Sequence, residues 1–260
     1  MSATAHAPGS VTIIFVPQDS EASLGISLAT ADGVTATVES TRDPFLFLDD
    51  RPAQVAPVTG VLDRLGVTAT VRLDTEVPIG CGFGVSGAAT LATALAANER
   101  FDLGHDRDAL VEMAHRAEVA AGTGLGDVFI QDRGGLVWDA GNGLRRATPS
   151  ARIEYQSFGG ITTAAVLGDA GTLDRVAEAG RTALAGVEPD GALDPLFEAS
   201  WAFAEQTGLA TDRVAEAVAA VRESGGTATM AMLGETVVAM GADGALAHQT
   251  ELTATGATLQ

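Results

Sequence analysis

Pro78-Ile79-Gly80-Cys81-Gly82-Phe83-Gly84-Val85-Ser86-Gly87-Ala88-Ala89 decides how this 260-residue chain is read. Glycines at 80, 82, 84 and 87 surround Ser86, and an alanine-rich helical segment continues to about Asn98. Glycine reaches φ values closed to other residues and lets a ligand approach the bare backbone. A helix starting at Ser86 turns its unpaired N–H groups, and the positive end of its dipole, toward that loop. Loop and helix start together form a phosphate cradle. The same pattern also serves as a tight strand-to-helix turn that binds nothing.

Spacing separates this loop from commoner phosphate motifs. A Walker A loop needs Gly-Lys-Ser/Thr, and the chain contains no lysine. Gly82-Phe83-Gly84-Val85-Ser86-Gly87 satisfies G-x-G-x-x-G literally. A dinucleotide site also requires an acid at the end of a second strand about 20 residues on. That region reads Ala96-Ala97-Asn98-Glu99-Arg100-Phe101, the tail of a helix. Pro78, Gly82, Phe83, Gly84 and Ser86 instead resemble the P-x-x-x-G-[LF]-G-x-S-[GAS]-A loop of the GHMP small-molecule kinases. The resemblance implies ATP bound by Pro78, Gly80, Gly82, Phe83, Gly84, Val85, Ser86, Gly87 and Ala88.

Composition narrows the class of protein. The formal net charge is −19, from 34 acidic and 15 basic residues, all arginine. No basic patch is available to displace counterions from nucleic acid. The acids are scattered, so the charge belongs to a folded surface whose self-repulsion salt would screen. With lysine absent, this surface resembles that of a salt-adapted protein; an ordinary acidic protein is the alternative. The longest strongly apolar run, Val11 to Val16, is too short to span a bilayer. The start, Met1-Ser2-Ala3-Thr4-Ala5-His6, has neither a basic segment nor an apolar core, so no signal peptide is expected. Cys81 is the single cysteine, and cytoplasm is the expected compartment.

The pattern along the chain predicts a mixed α+β fold. Strands are expected at Val11–Val16, Gly33–Glu39, Val67–Leu73 and Gly134–Trp138. Helices are expected at about Gly87–Asn98 and Asp106–Ala121, the second stopped by Gly122. Beyond about Ser150 the sequence predicts a strand at Ile161–Leu167 and helices near Thr172–Ala185, Asp194–Gln206 and Thr211–Glu223. Asp194-Pro195 has the form of an N-cap followed by proline at the first helical position. Thr227–Leu233 and Thr236–Met240 read as a hairpin turned at Gly234-Glu235. The expected division is 1–150 for an ATP-binding domain, with the phosphate loop opening a helix, and 151–260 for a smaller α+β domain.

A second informative region is Ala114-His115-Arg116-Ala117-Glu118-Val119-Ala120-Ala121-Gly122-Thr123-Gly124-Leu125-Gly126-Asp127. At 100° per residue Leu110, Ala114, Ala117 and Ala121 form an apolar stripe, and Glu118 lies on its edge. A carboxylate turned inward needs a cation or donors to meet it, so Glu118 reads as a metal ligand or a buried-pair partner. Asp127 ends a glycine-rich loop, where an aspartate also serves as an ordinary turn residue. Phosphoryl transfer needs donors on phosphate, a carboxylate on Mg²⁺ and a second carboxylate at the attacking hydroxyl. With four histidines and one cysteine, zinc is not expected.

The Glu-x8-Asp spacing with its Gly-Thr-Gly-x-Gly resembles the catalytic region of GHMP kinases, most closely their pantoate kinase branch. Pro8-Gly9-Ser10-Val11-Thr12 and Met230-Ala231-Met232-Leu233-Gly234 fit the same branch. The resemblance implies Ser86 and Glu118 on Mg²⁺, Asp127 at the acceptor hydroxyl and ATP as phosphoryl donor. It also implies pantoate as acceptor, with His115 and Thr123 beside it. The branch tends to place an arginine where this chain has Asp139, so the partner of a substrate carboxylate is open among Arg116, Arg133, Arg145 and Arg146; Arg116 points away from the stripe that carries Glu118, which favours Arg133 or the Arg145-Arg146 pair as substrate-binding residues. Ser23 or Ser27 stands in loosely for an early substrate loop, and the superfamily's third glycine motif is reduced to Gly225-Gly226-Thr227. A homodimer is compatible with this reading. Other acceptors (mevalonate, homoserine, shikimate), a nucleotide-binding regulator without turnover, and a structural acidic protein are the alternatives.

Overall fold

The β-branched run at Val11–Val16 lies within a long first strand, β1 (Ser2–Pro17), antiparallel to β2 (Ser23–Ser40) from Ser2 opposite Glu39 to Pro17 opposite Ser23. The computed structural model describes residues 1–18, 23–124, 126–160, 170–188 and 191–260. The expected strand at Ile161–Leu167, like Leu125 of the glycine-rich loop, lies outside the described residues.

The register of the β1–β2 ladder breaks between Pro8 and Gly9 and again between Thr12 and Ile14. The first break matters for the site. Across it β2 carries two extra residues, Ala31 and Asp32, and on β1 the Ser10 N–H donates to Phe83 O at 2.9 Å, tying β1 to the phosphate loop. Gly9 is obligatory there, because a Cβ would sit 2.4 Å from Thr30 Oγ1 and 2.9 Å from Asp32 O. Bulges of this kind re-aim side chains near functional sites.

The first sheet continues through β3 (Leu46–Leu48), β4 (Arg51–Pro52) and β5 (Ala69–Thr75) and ends at β12 (Thr258–Leu259), in the order β12-β1-β2-β5-β3-β4. β6 (Leu136–Asp139) pairs with the far end of β2 and with β7 (Arg145–Ala147). Helix α1 (Ala56–Leu65) precedes β5, and α2 (Val85–Phe101) follows it across β1 and β2. From Gly87 to Ala97 every residue of α2 is buried. A helix apolar on all sides belongs in the middle of a protein, and α1 and α3 (Arg107–Ala121) cover its outer face. Burial of side chains the size of Leu91 and Leu95 contributes about 1.5–3 kcal/mol each. Asp106 caps α3, accepting from Ala109 N at 2.8 Å.

The second sheet has the order β11-β8-β10-β9, built from β8 (Arg152–Gly160), β9 (Thr227–Ala231), β10 (Gly234–Met240) and β11 (His248–Glu251). Helix α5 (Ala170–Ala185) packs on β1 and on α6 (Leu193–Thr207), α6 packs on β9 and β1, and α7 (Asp212–Glu223) packs on β9 and β10. The last strand, β12 (Thr258–Leu259), returns to pair with β1 in the first sheet. No helix among the described residues is long and apolar enough to cross a membrane.

Three local expectations are corrected. The N-cap of α6 is Ala192; Asp194 sits inside the first turn, where its carboxylate accepts from Thr227 Oγ1 at 2.9 Å. The hairpin turns at Met232-Leu233, with Leu233 at φ 62°, and Gly234 already belongs to β10. Gly234 is pressed against the phosphate loop, where a Cβ would lie 2.1 Å from Cys81 O. Asp127 does not end a loop: it is the first residue of a short helix, α4 (Asp127–Arg133).

Candidate active site

The glycine loop is held from two sides. Glycines 80, 82 and 84 have φ of 72°, 87° and 60°, the left-handed region that favours glycine. Phe83 is buried edge-on against Tyr155 of β8, with ring centroids 4.8 Å apart. Gly84 is the N-cap of α2 and no side chain caps that helix. The orphan N–H groups of its first turn are therefore left for a ligand, and the dipole favours an anion.

Ser86 and Glu118 meet across α2 and α3: Ser86 Oγ donates to Glu118 Oε1 at 2.9 Å. Thr90 Oγ1 lies 2.8 Å from the same oxygen, and Thr123 Oγ1 donates to Oε2 at 2.8 Å. Glu118 is 3% exposed. Burial raises its carboxyl above the ordinary range; the hydroxyls of Thr90, Thr123 and Ser86 oppose the rise, and the charge of Asp127 adds to it. Among the described residues no arginine pairs with Glu118 or Asp127.

Asp127 faces the loop from α4. Ser10 Oγ donates to its Oδ1 at 2.8 Å. Burial raises the Asp127 carboxyl as well, with the Ser10 hydrogen bond opposing. Gly124 separates the two acids: a Cβ there would lie 3.1 Å from Glu118 Oε2 and 3.9 Å from Asp127 Oδ2. Two carboxyls held close, both raised and without a cation partner, suit a site that receives positive charge with its ligand.

These groups open on a cavity of about 1000 Å³. Its wall includes Gly80, Gly82, Phe83, Gly84, Val85 and Ser86 of the loop, together with Asp127, His115, Thr123 and Ser23. Pro78, Gly87 and Ala88 stand behind the loop rather than on the wall; Ala88 is fully buried. The His115 ring packs 4.9 Å from that of Phe129, and its Nδ1 is buried without a hydrogen-bond partner among the described residues. The Thr123 hydroxyl is engaged by Glu118, and that of Ser27 pairs with Thr12 at 2.8 Å.

The arginines separate cleanly. Arg133, at the end of α4, lines the cavity and uses only Nη1, donating to Phe129 O at 3.4 Å. Arg145 lies outside the wall, its guanidinium 5.4 Å above the Trp138 ring. Arg146 is spent on backbone carbonyls, Gly134 O at 2.8 Å and Ala254 O. Arg116 is an exposed partner of Glu112 at 2.6 Å. Gly225-Gly226 is the entry turn to β9 and does not line the cavity. The Ala231–Gly234 turn meets the loop instead, with Ala231 Cβ 3.0 Å from where a Gly82 Cβ would stand.

Three functional neighbours escaped the sequence reading: Thr90, Ser10 as partner of Asp127, and Gln131. Thr90 sits one turn beyond Ser86, a spacing that places both on one helix face. Gln131 stands in the same relation to Asp127, once α4 is known to be a helix. Ser10 meets Asp127 from 117 residues away, a contact that no local spacing announces.

Comparison with known proteins agrees with this geometry. The family model described as GHMP kinases N terminal domain matches residues 55–135, which run from α1 through the phosphate loop, Glu118 and Asp127. The chain is 29% identical over 256 residues to a pantoate kinase of Methanospirillum hungatei, covering 92% of this chain and 87% of that protein. It is 25% identical over 254 residues to a pantoate kinase of Methanocaldococcus jannaschii, covering 89% and 90%. A solved structure described as a phosphotransferase related to the CoA biosynthesis pathway superposes with a TM-score of 0.88 at 21% identity, covering 100% of this chain and 99% of that one. Residues 55–135 thus match the GHMP kinase N-terminal family model, and the chain has the mixed α+β fold of that solved phosphotransferase.

Proposed function

We propose that this protein is an ATP-dependent kinase that phosphorylates the primary hydroxyl of pantoate, giving 4-phosphopantoate for coenzyme A synthesis. The observation that carries the reading is a single cavity joining the loop–helix start at Gly84–Ser86 to Asp127, whose carboxylate Ser10 holds. Likeness along most of the chain to pantoate kinases of two organisms supports the acceptor.

Each group has a task in this reading. The loop N–H groups at the start of α2 take the phosphates of ATP. Ser86 and Glu118 would hold Mg²⁺. The fit is chemical: hard oxygen donors, a buried carboxylate met only by hydroxyls, and no larger acidic or His/Cys cluster among the described residues. Mg²⁺ usually keeps waters and phosphate oxygens as its other ligands, and when bound it supplies charge neutralisation at the phosphates. Asp127, fixed by Ser10, orients the acceptor hydroxyl and accepts its proton; its raised carboxyl is a stronger base than an exposed aspartate. Arg133, which lines the cavity, would meet the acceptor's carboxylate. A planar guanidinium binds a carboxylate through two parallel hydrogen bonds, and a cavity in a chain of charge −19 needs such a local cation.

The test is ADP release with a panel of pantoate, mevalonate, homoserine and shikimate in molar KCl. Pantoate should give kcat/KM at least a hundredfold above the others. A higher value with any other acceptor replaces pantoate, and ATP binding without turnover on all four leaves a nucleotide-binding regulator.

A further inference from the structure

Gln131 is wholly buried on α4, one turn beyond Asp127. Its Nε2 donates to Gly84 O at 2.7 Å and lies 3.5 Å from Ser10 Oγ. The orientation of the amide is set by Gly84 O, which can only accept. That carbonyl also takes the first helical bond of α2, from Ala88 N at 3.0 Å. Gln131 Oε1 faces Gly87, where a Cβ would stand 2.7 Å away, and it is buried without a hydrogen-bond partner among the described residues. Burying an amide with one acceptor unpaired costs stability that leucine or methionine would not incur. Packing alone does not account for it.

The contacts of this amide cross the one seam the reaction cannot leave loose. On one side is Gly84, the turn from which the phosphate-binding N–H groups project. On the other is α4, which carries Asp127. Ser10 touches both, bonded through its backbone to Phe83 O and through its hydroxyl to Asp127. We infer that Gln131 is a positioning residue for phosphoryl transfer, whose amide locks the phosphate loop at Gly84 to the helix that carries Asp127 and so fixes the spacing between donor and acceptor. The inference rests on the kinase reading of the cavity. Phosphoryl transfer depends almost wholly on positioning and charge neutralisation, and a misplacement of about 1 Å costs on the order of a hundredfold in rate.

Two variants test it. Gln131→Met keeps length and removes the donor. Gln131→Glu keeps shape and donates to Gly84 O only when protonated. With pantoate and ATP, Gln131→Met should lower kcat about tenfold or more while both KM values stay within threefold. The ratio of Gln131→Glu to wild-type kcat should rise as pH falls. Independently of turnover, backbone hydrogen exchange in the ligand-free Gln131→Met protein should quicken in both 80–88 and 127–133. A kcat within twofold of wild type, or exchange unchanged at 80–88, would overturn the inference and leave a packing amide. If the methionine variant does not fold, the pH ratio of the glutamate variant decides. If the wild type does not phosphorylate pantoate, the acceptor reading fails, and the exchange measurement still decides the role of Gln131.

Discussion

Gly84→Ala probes the joint between loop and acid with a single methyl group. At φ 60° an alanine pays the left-handed penalty, about 1–2 kcal/mol, partly offset by a less flexible unfolded chain. Its Cβ would stand 2.1 Å from Ser10 Oγ, 2.9 Å from Gln131 Nε2 and 3.3 Å from Asp127 Cγ. To restore ordinary contact, Ser10 Oγ must retreat by about 1 Å, which breaks its 2.8 Å bond to Asp127 unless the acid follows. On the scale of about a hundredfold per ångström, kcat should fall by roughly two orders of magnitude. Gly66→Ala is the matched control, with φ 69° and no atom within 4 Å of its Cβ. It should lose about 1 kcal/mol, a drop of roughly 2–4 °C in Tm, and keep wild-type kcat. Both are measured by a coupled ADP assay at saturating pantoate and ATP, beside thermal melts. If Gly84→Ala turns over like Gly66→Ala, the overlap with Ser10 has no catalytic consequence and the positioning argument is wrong.

Asp127→Asn should abolish turnover while ATP-analogue affinity stays within a few-fold; wild-type turnover removes Asp127 from the mechanism. Glu118→Gln should raise the Mg²⁺ concentration for half-maximal rate at least tenfold, and an unchanged titration makes Glu118 a structural acid. The raised Glu118 carboxyl also predicts a pH effect in EDTA without nucleotide. Because the folded state holds this proton more tightly than the unfolded one, wild-type stability falls as pH rises from the ordinary carboxylate range through the folded-state value. Glu118→Gln should therefore melt above wild type at neutral pH, with the gap closing in acid; a gap that is constant with pH would exclude the shift. Arg133→Ala should raise the pantoate KM tenfold or more with little change for ATP, Arg145→Ala and Arg146→Ala should not, and neutral pantoyl alcohol should be a poor wild-type substrate. If Arg133→Ala keeps a normal KM, another group reads the carboxylate. Finally, the acidic surface predicts a Tm that climbs between low salt and molar KCl; a flat response removes salt adaptation from the account.

Much of this site is legible in residue types and local spacing. Glycines at 80, 82 and 84 demand positive φ, and all three have it. The helical wheel that turned Glu118 inward holds because α3 packs against a helix buried on every side. What spacing cannot carry is contact between distant segments. Ser10 and Asp127 are 117 residues apart and meet only where β1 passes beside α4. Helix α4 is too short for an apolar period, so Asp127 resembled a turn residue until tertiary contacts fixed its conformation. The same limit misplaced the β9–β10 turn: Gly234 is needed for close approach to Cys81, not for the turn itself. The helical wheel set Arg116 aside, but sequence could not choose among Arg133, Arg145 and Arg146, since the last two are neighbours that β7 sends to different partners.

Phosphorus–proton correlation NMR of the purified reaction shows whether the cavity transfers phosphate from ATP to the primary hydroxyl of pantoate. Incubation of the protein with pantoate, ATP and Mg²⁺ in molar KCl should yield one new phosphomonoester whose phosphorus couples to the methylene protons of the primary carbon, equimolar with ADP. No such signal with pantoate, or phosphate appearing only as the inorganic ion, would contradict the account.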